Sequence, residues 1–521
     1  MANRYSDILF QLIRSLEKAE KRHFKLYIKR SSAKEDLKIV QLFDAIDRMQ
    51  EYDEKGLFKK MPELSRAQLA NLKVHLYKEL LSSLRLLRTG DSIDLQLSEH
   101  LDHARILYNK GLKIQSLRIL EKAKEQAVAH HKFNTLVQLL SLEKKIELLH
   151  ITRSSTEKTQ ILAEEAIANS EHIDRVTRLS NLALLLYRWY VLNGHARNAE
   201  DEKNVHAYFK SNLPKEEGKV SGFYEKLYLY QSYCWYAFIR QDFLMYYRYA
   251  QKWVSLFDED SKLKSIETGH YIKGIHTLLN AQFDLRHFSG FDATLLAFEK
   301  FSFTEDGQRH DNFKTHISIY INGAKINGHL MKGSFSEGVK LIPEIEQKLS
   351  EYELYVDPHR ILVFNYKFAS LCFGNGEYEK AIDYLQKIIN GPVDLRMDLQ
   401  SYARLMHLMC HYELGNYDIL DALVKAVHRF MLRMKNLTVV EEAIFRFLKR
   451  GYPDAKQIRV ALQGLLNQIK ELEKNRFETR AFAYLDIISW LESKVRHKSM
   501  EEVIVEKYRL SKRSRLKYSR S

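Results

Sequence analysis

Gly376-Glu377-Tyr378-Glu379-Lys380-Ala381 decides the reading of this chain. A glycine that breaks a helix is followed two residues on by an aromatic and three further on by a small residue, with helical patterns on both sides. The device recurs at Gly333-Ser334-Phe335-Ser336-Glu337-Gly338 and, more loosely, at Gly415-Asn416-Tyr417-Asp418-Ile419-Leu420. A turn that recurs at a roughly constant spacing marks stacked helical hairpins, because one hairpin cannot bury its apolar face alone. The rest of the chain permits long helices: proline breaks them, and only six prolines occur in 521 residues. Val/Ile/Thr alternation bounded by hairpin dipeptides is nearly missing, so the fold class is all-α.

Outward from that stretch, the turn glycines Gly111, Gly194, Gly333, Gly376 and Gly415 anchor a repeat region over 91–495. The last two gaps are 43 and 39 residues, and the first, 83, is about two such units. Upstream, residues 1–90 read as an N-terminal helical unit. Ser6 and Asp7 can cap a helix whose stripe is Ile8, Leu9, Leu12, Ile13, Leu16 and Ala19. A second helix covers about 36–50, and a short piece follows at 53–60. Ser65 is a candidate cap for a longer helix carrying Leu69, Leu72, Leu76, Leu80, Leu84 and Leu87 up to Thr89-Gly90-Asp91. Downstream, 496–521 is a basic tail without an apolar stripe after Leu510, expected as a frayed helix running into disorder.

The spacing of small and aromatic residues around the turns resembles the tetratricopeptide repeat family. The Gly376 unit has Ala369, Tyr378 and Ala381, and Pro392 near the family's closing proline. The Gly111 unit has Ala104, Ser116 and Ala123 without the aromatic, and the Gly194 unit has Ala199. The departures are a period nearer 40 than the family's 34 and Ile388 at a small-residue position. The resemblance implies an α-solenoid of degenerate hairpins, similar in style to bacterial tetratricopeptide-like proteins, with the first helix of each hairpin on the concave side. In that register the inward residues are Arg105 and Tyr108, Arg188, Tyr320 and Asn327, Tyr366, Ser370 and Phe373, then Tyr402 and Tyr412. Polar aromatics with Arg and Asn suit an extended peptide, which needs hydrogen bonds for its backbone and slots for its side chains.

Charge and composition limit the partners. The net charge of +15 is concentrated at the ends: 1–90 carry +7 and 505–521 carry +6, which leaves +2 for the long middle. The repeat region is therefore not a basic nucleic-acid cradle. Three scattered cysteines with no Cys-x-x-Cys pair fit a reducing compartment. The first residues lack a signal peptide's order, and no stretch approaches the roughly 18–20 uncharged residues that span a bilayer. The expected location is cytoplasmic, away from membranes.

No catalytic constellation is legible. Gly328 and Gly333 stand at P-loop spacing without the lysine that must follow the second glycine. His407 and His411, with Cys410 beside them, can share a helix face, but two ligands do not close a metal site. His100, His103 and the His130-His131 pair read as helix surface and helix end. No metal or cofactor is expected. In the stretch 223–253, thirteen of 31 residues are Phe, Tyr or Trp. Such a density either fills the core of a hairpin or forms a partly exposed binding surface.

The function these residues support is a non-enzymatic scaffold that binds a protein or peptide partner in a concave groove. The alternative is a peptide-sensing regulator that touches nucleic acid, through Arg66, Lys73 and Lys78 of the N-terminal helices or Lys512, Arg513, Arg515 and Lys517 of the tail.

Overall fold

The computed structural model describes residues 7–29, 34–62, 64–90, 92–150, 156–214, 220, 222–260, 262–352, 356–391, 396–434, 437–449, 455–475, 477–478, 481–482 and 484–518; within these, the side chains of 34–37, 156–157, 455–456 and 512–518 are not described. Every regular element among the described residues is helical. The chain divides into two compact units, Met1–Asp174 and Arg175–Ser521.

The first unit holds two separate apolar cores. The first is built by helices Ile8–Ser15, Lys18–Lys29, Lys34–Asp47, Glu54–Lys60 and Arg66–Arg88 around Phe10, Phe24, Phe43, Leu57, Leu76 and Leu80. Asp7 caps the first helix by accepting from the Phe10 amide at 3.1 Å, and Ser65 forms a capping box with Gln68. The stripe from Ile8 to Ala19 does not run through one helix. Leu16 is extended, and the Glu20 carboxylate accepts from the Glu17 amide at 2.9 Å, which starts a second helix. The second core lies among helices Ile93–Asn109, Lys113–Ala129 and Phe133–Leu149. Here the small residues act as the spacing implied. Ala104, Ser116 and Ala123 are fully buried, and the Ser116 hydroxyl donates to the Ala104 carbonyl at 2.8 Å across the hairpin.

In the second unit, helices alternate as hairpins. Phe223–Ile239 packs on Phe243–Glu259, Thr268–Asp284 on Phe288–Ser302, Asp311–Lys332 on Phe335–Lys340, Pro358–Gly374 on Tyr378–Ile389, and Met397–Glu413 on Tyr417–Arg433. The first helices from Thr268–Asp284 to Met397–Glu413 lie side by side in chain order. One continuous core joins them. The turns share one device: a left-handed residue with an aromatic two positions later. It falls on Gly333, Gly376 and Gly415, but also on Gln241 before Phe243 and Arg286 before Phe288, at spacings of 39 to 47 residues. In the first unit, His131 before Phe133 does the same. A search anchored on glycine misses these three, because the helix-ending hydrogen bonds hold a larger side chain at positive φ.

The start of the 496–521 segment, expected as a frayed tail, is packed against the hairpins, as is the helix before it. Helices Ile487–Arg496 and Met500–Tyr518 fold back onto the hairpins. Trp490 is fully buried, Ile504 packs where Gly333 lacks a side chain, and Tyr508 meets Phe288 edge-on at 4.6 Å. Lys507 pairs with Glu492 at 2.9 Å. Apolar residues at 503, 504 and 508 supply a docking stripe that the basic composition hides.

Candidate functional site

A cavity of about 1000 Å³ opens in the second unit. The first helices of four successive hairpins form its walls: Gln231 and Trp235, then Lys273 and His276, then Tyr320 and Asn327, then Arg360 and Lys367. Tyr187 and Tyr190 close another side. Tyr320 is the centre of the arrangement. The His276 ring stacks on it at 3.8 Å with the planes 6° apart. Arg360 lies 4.9 Å from its ring centre and donates to its hydroxyl at 3.0 Å, and the Lys273 ammonium lies 5.8 Å from the ring centre. The Lys367 ammonium donates to Asn327 Oδ1.

The basic groups feel one another. Burial, with the Arg360 charge added, brings the Lys273 pKa down to about 8. Burial brings Lys367 to about 8 as well, against some support from the Asp284 charge. Burial and then the charges of Lys273, Arg360 and Lys367 push His276 far down, so its imidazole is neutral at physiological pH. His359 is lowered to about 4 by burial and by Arg396. The two lysines are only partly shielded from solvent, yet surrounded by protein, because the water that reaches them does so inside the cavity.

At the far wall the charges are matched. Arg396 donates from Nε to Asp398 Oδ1 at 2.8 Å and from Nη2 to Oδ2 at 2.7 Å, and the Tyr484 hydroxyl donates to the same carboxylate. Burial works to raise the Asp398 pKa, but Arg396 and these hydrogen bonds hold it below the usual carboxylate range. Past this point the chain's own C-terminal segment covers the first helices. The Tyr484 ring stacks on Tyr402 at 4.2 Å, and its carbonyl accepts from the Tyr366 hydroxyl at 3.2 Å. Trp490 donates from Nε1 to Glu413 at 2.6 Å, and Lys494 pairs with the same carboxylate.

Of the ten residues proposed from sequence for a groove, the structure brings Tyr320 and Asn327 together in the cavity. Tyr366, Phe373 and Tyr402 are buried, Tyr412 packs 6.2 Å from Trp490, and Ser370 lines a smaller space of about 590 Å³ with Tyr484. The chain's own residues 484–490 lie on Tyr366, Tyr402 and Tyr412. Arg188 is exposed. In the first unit, Arg105 is exposed 3.5 Å from Asp102, and Tyr108 is half-buried beside His150. Lys73 is taken up by Asp7 and by the Tyr52 hydroxyl at 2.7 Å, so it does not sit on the exposed face inferred for it, whereas Arg66 and Lys78 are exposed. The side chains of Lys512, Arg513, Arg515 and Lys517 lie outside the described residues. His407 and His411 meet edge-on at 4.5 Å, and no group of three or more potential metal ligands occurs among the described residues. Among the same residues no helix is long and apolar enough to cross a membrane.

The aromatic stretch 223–253 serves two purposes at once. Phe257 and Ala250 anchor its hairpin in the core, while Trp235, Phe238, Tyr246 and Trp253 face the cavity. Lys273, Lys367 and Arg360 went unnoticed in the sequence. Their signal is a lone cation inside an apolar first helix, as in Tyr271-Ile272-Lys273-Gly274-Ile275 and Tyr366-Lys367-Phe368.

Compared with family models, curated proteins and solved structures, the chain matches none of the three. The class of protein therefore rests on its own architecture: an all-helical chain of packed hairpins with a cavity of aromatic and basic lining among their first helices.

Proposed function

We propose that the hairpins form a tetratricopeptide-like solenoid whose first-helix face binds a polypeptide segment of another protein, without catalysis. One observation carries this reading: the same face already holds a polypeptide segment. Residues 484–494 lie against the first helices through a tyrosine stack, a buried tryptophan and charge-assisted hydrogen bonds. These are the devices by which a helical groove grips a peptide. The cavity is the part of the row that this segment leaves open, and its aromatic walls with Gln231, Asn280 and Asn327 offer apolar slots beside amide groups.

The test is a photo-crosslinking amino acid placed at Tyr187, which is 43% exposed at the cavity rim, with a control at Leu296 on the second helix of its hairpin. The reading expects a protein adduct at 187, absent at 296, that Gln231→Ala weakens. Equal labelling at both positions, or adducts indifferent to Gln231→Ala, would reject it.

A further inference from the structure

We propose that the cavity seats a negatively charged group of the bound segment, a carboxylate or a phosphate, between Lys273, Lys367 and Arg360. The inference rests on the peptide-binding reading and adds the chemistry of the ligand.

The argument is a charge count on the cavity wall. Among the described residues, Lys273 has no carboxylate partner; its ammonium faces the Tyr320 ring. Lys367 donates to neutral acceptors, Asn327 Oδ1 and, at 3.5 Å, the Gly323 carbonyl. Arg360 has Asp357 3.9 Å from its Nε, but that carboxylate is 60% exposed and weakly held. The other wall charges are spoken for: Arg396 by Asp398, and Glu267 by the Tyr224 hydroxyl at 2.5 Å. Lys273 and Arg360 thus meet at one neutral tyrosine and Lys367 at a neutral amide, and the Asp284 carboxylate, whose charge reaches Lys367, makes no ion pair with it. Burying charge without a counter-charge costs free energy, and the cost is offset only when an opposite charge arrives. At the buried Glu225 the fold supplies that charge itself, through Arg175 at 2.8 Å. At the cavity it does not.

The volume separates a lone ion from a larger ligand. About 1000 Å³ far exceeds what an inorganic anion fills, and the space beyond the cations is walled by Tyr187, Trp235 and Phe364. An anionic side chain or chain end with apolar neighbours matches both parts. The planar guanidinium of Arg360 suits the paired oxygens of either anion.

The experiment uses the full chain and four random hexapeptide pools with Glu, Gln, phosphoserine or serine fixed at the third position, read by fluorescence of Trp235 and Trp253. Inorganic phosphate, against sodium chloride at equal ionic strength, is read by thermal midpoint. The Glu or the phosphoserine pool is expected to bind at least ten-fold more tightly than its neutral counterpart, and the preferred pool identifies the source of the anion. Lys273→Met and Lys367→Met are expected to abolish that preference while the midpoint stays level or rises; Lys273→Arg is expected to keep it. Equal binding of charged and neutral pools overturns the anion seat and leaves the peptide reading standing. Stabilisation by phosphate that both Met variants lose, with no pool bound, keeps the seat and overturns the peptide reading. A fall in midpoint in both Met variants makes the lysines structural and overturns the inference.

Discussion

One row of first helices presents two surfaces. From Met397–Glu413 back to Tyr366 it is covered by the chain's own residues 484–494, and the carboxylates that meet this segment have cationic partners: Asp398 with Arg396, and Glu413 with Lys494. From Lys367 back to Lys273 the row is open; among the described residues Lys273 and Lys367 have no paired carboxylate there, and Arg360 has only the exposed Asp357. The helices are alike in length and in their turns. What differs is whether the counter-charges are in the same chain. A covered surface can be balanced internally, whereas an open one is balanced only by what binds.

The largest effects are expected on the covered surface. Trp490→Ala removes a fully buried indole and leaves Glu413 with Lys494 alone. It should cost about 3–5 kcal/mol in a denaturant melt. On the open surface, Tyr187→Ala removes a ring whose neighbour is Trp235 at 4.9 Å, and it should cost under about 0.5 kcal/mol. Similar losses at the two positions would erase the distinction.

Smaller effects separate packing from backbone freedom within one turn. A side chain on Gly374 would meet the Phe335 ring at 2.5 Å, so Gly374→Ala should cost about 1–3 kcal/mol. Gly376 has open space around it but a φ of 79°, so Gly376→Ala should cost about 1–2 kcal/mol, from backbone strain alone. Thermal melts of the two variants check this, together with restoration of Gly374→Ala by Phe335→Leu.

A further effect is a pH dependence of the open surface. Lys273 and Lys367 fall from 10.5 unfolded to about 8 folded. The folded state then holds fewer protons than the unfolded state between those values, so stability rises with pH across that window. The penalty is present in full below about 8. Any stability gained by Lys273→Met should therefore shrink as pH rises from 8 towards 10.5, in urea melts at stepped pH. A gain that does not change with pH would place the lysine's cost elsewhere.

Much of the helical pattern was legible because turns and apolar stripes are local. Asp7 and Ser65 cap where their types allow it, and Gly333, Gly376 and Gly415 carry the left-handed residues. Where a turn uses Gln241 or Arg286, the aromatic two residues on was the readable mark, and glycine was the wrong anchor. The docking of 484–508 was hidden because a stripe of three apolar residues is faint within a basic segment, and its partners lie far upstream, 86 residues for Tyr484 on Asp398 and 220 for Tyr508 on Phe288. Lys273, Arg360 and Lys367 stand on two helices, and Tyr320 between them on a third. Only the stacking of hairpins brings those residues to one cavity.

The most direct test sets two partly shielded cations of the second unit against each other, Arg396→Met and Lys273→Met, in equilibrium urea unfolding at pH 7. Arg396 is matched, so its loss strands Asp398 and should destabilise the chain by about 3–5 kcal/mol. Lys273 is unmatched until a partner binds, so its loss should leave the chain equally or more stable. If both substitutions destabilise the chain to a similar degree, the open surface is already balanced and the account fails.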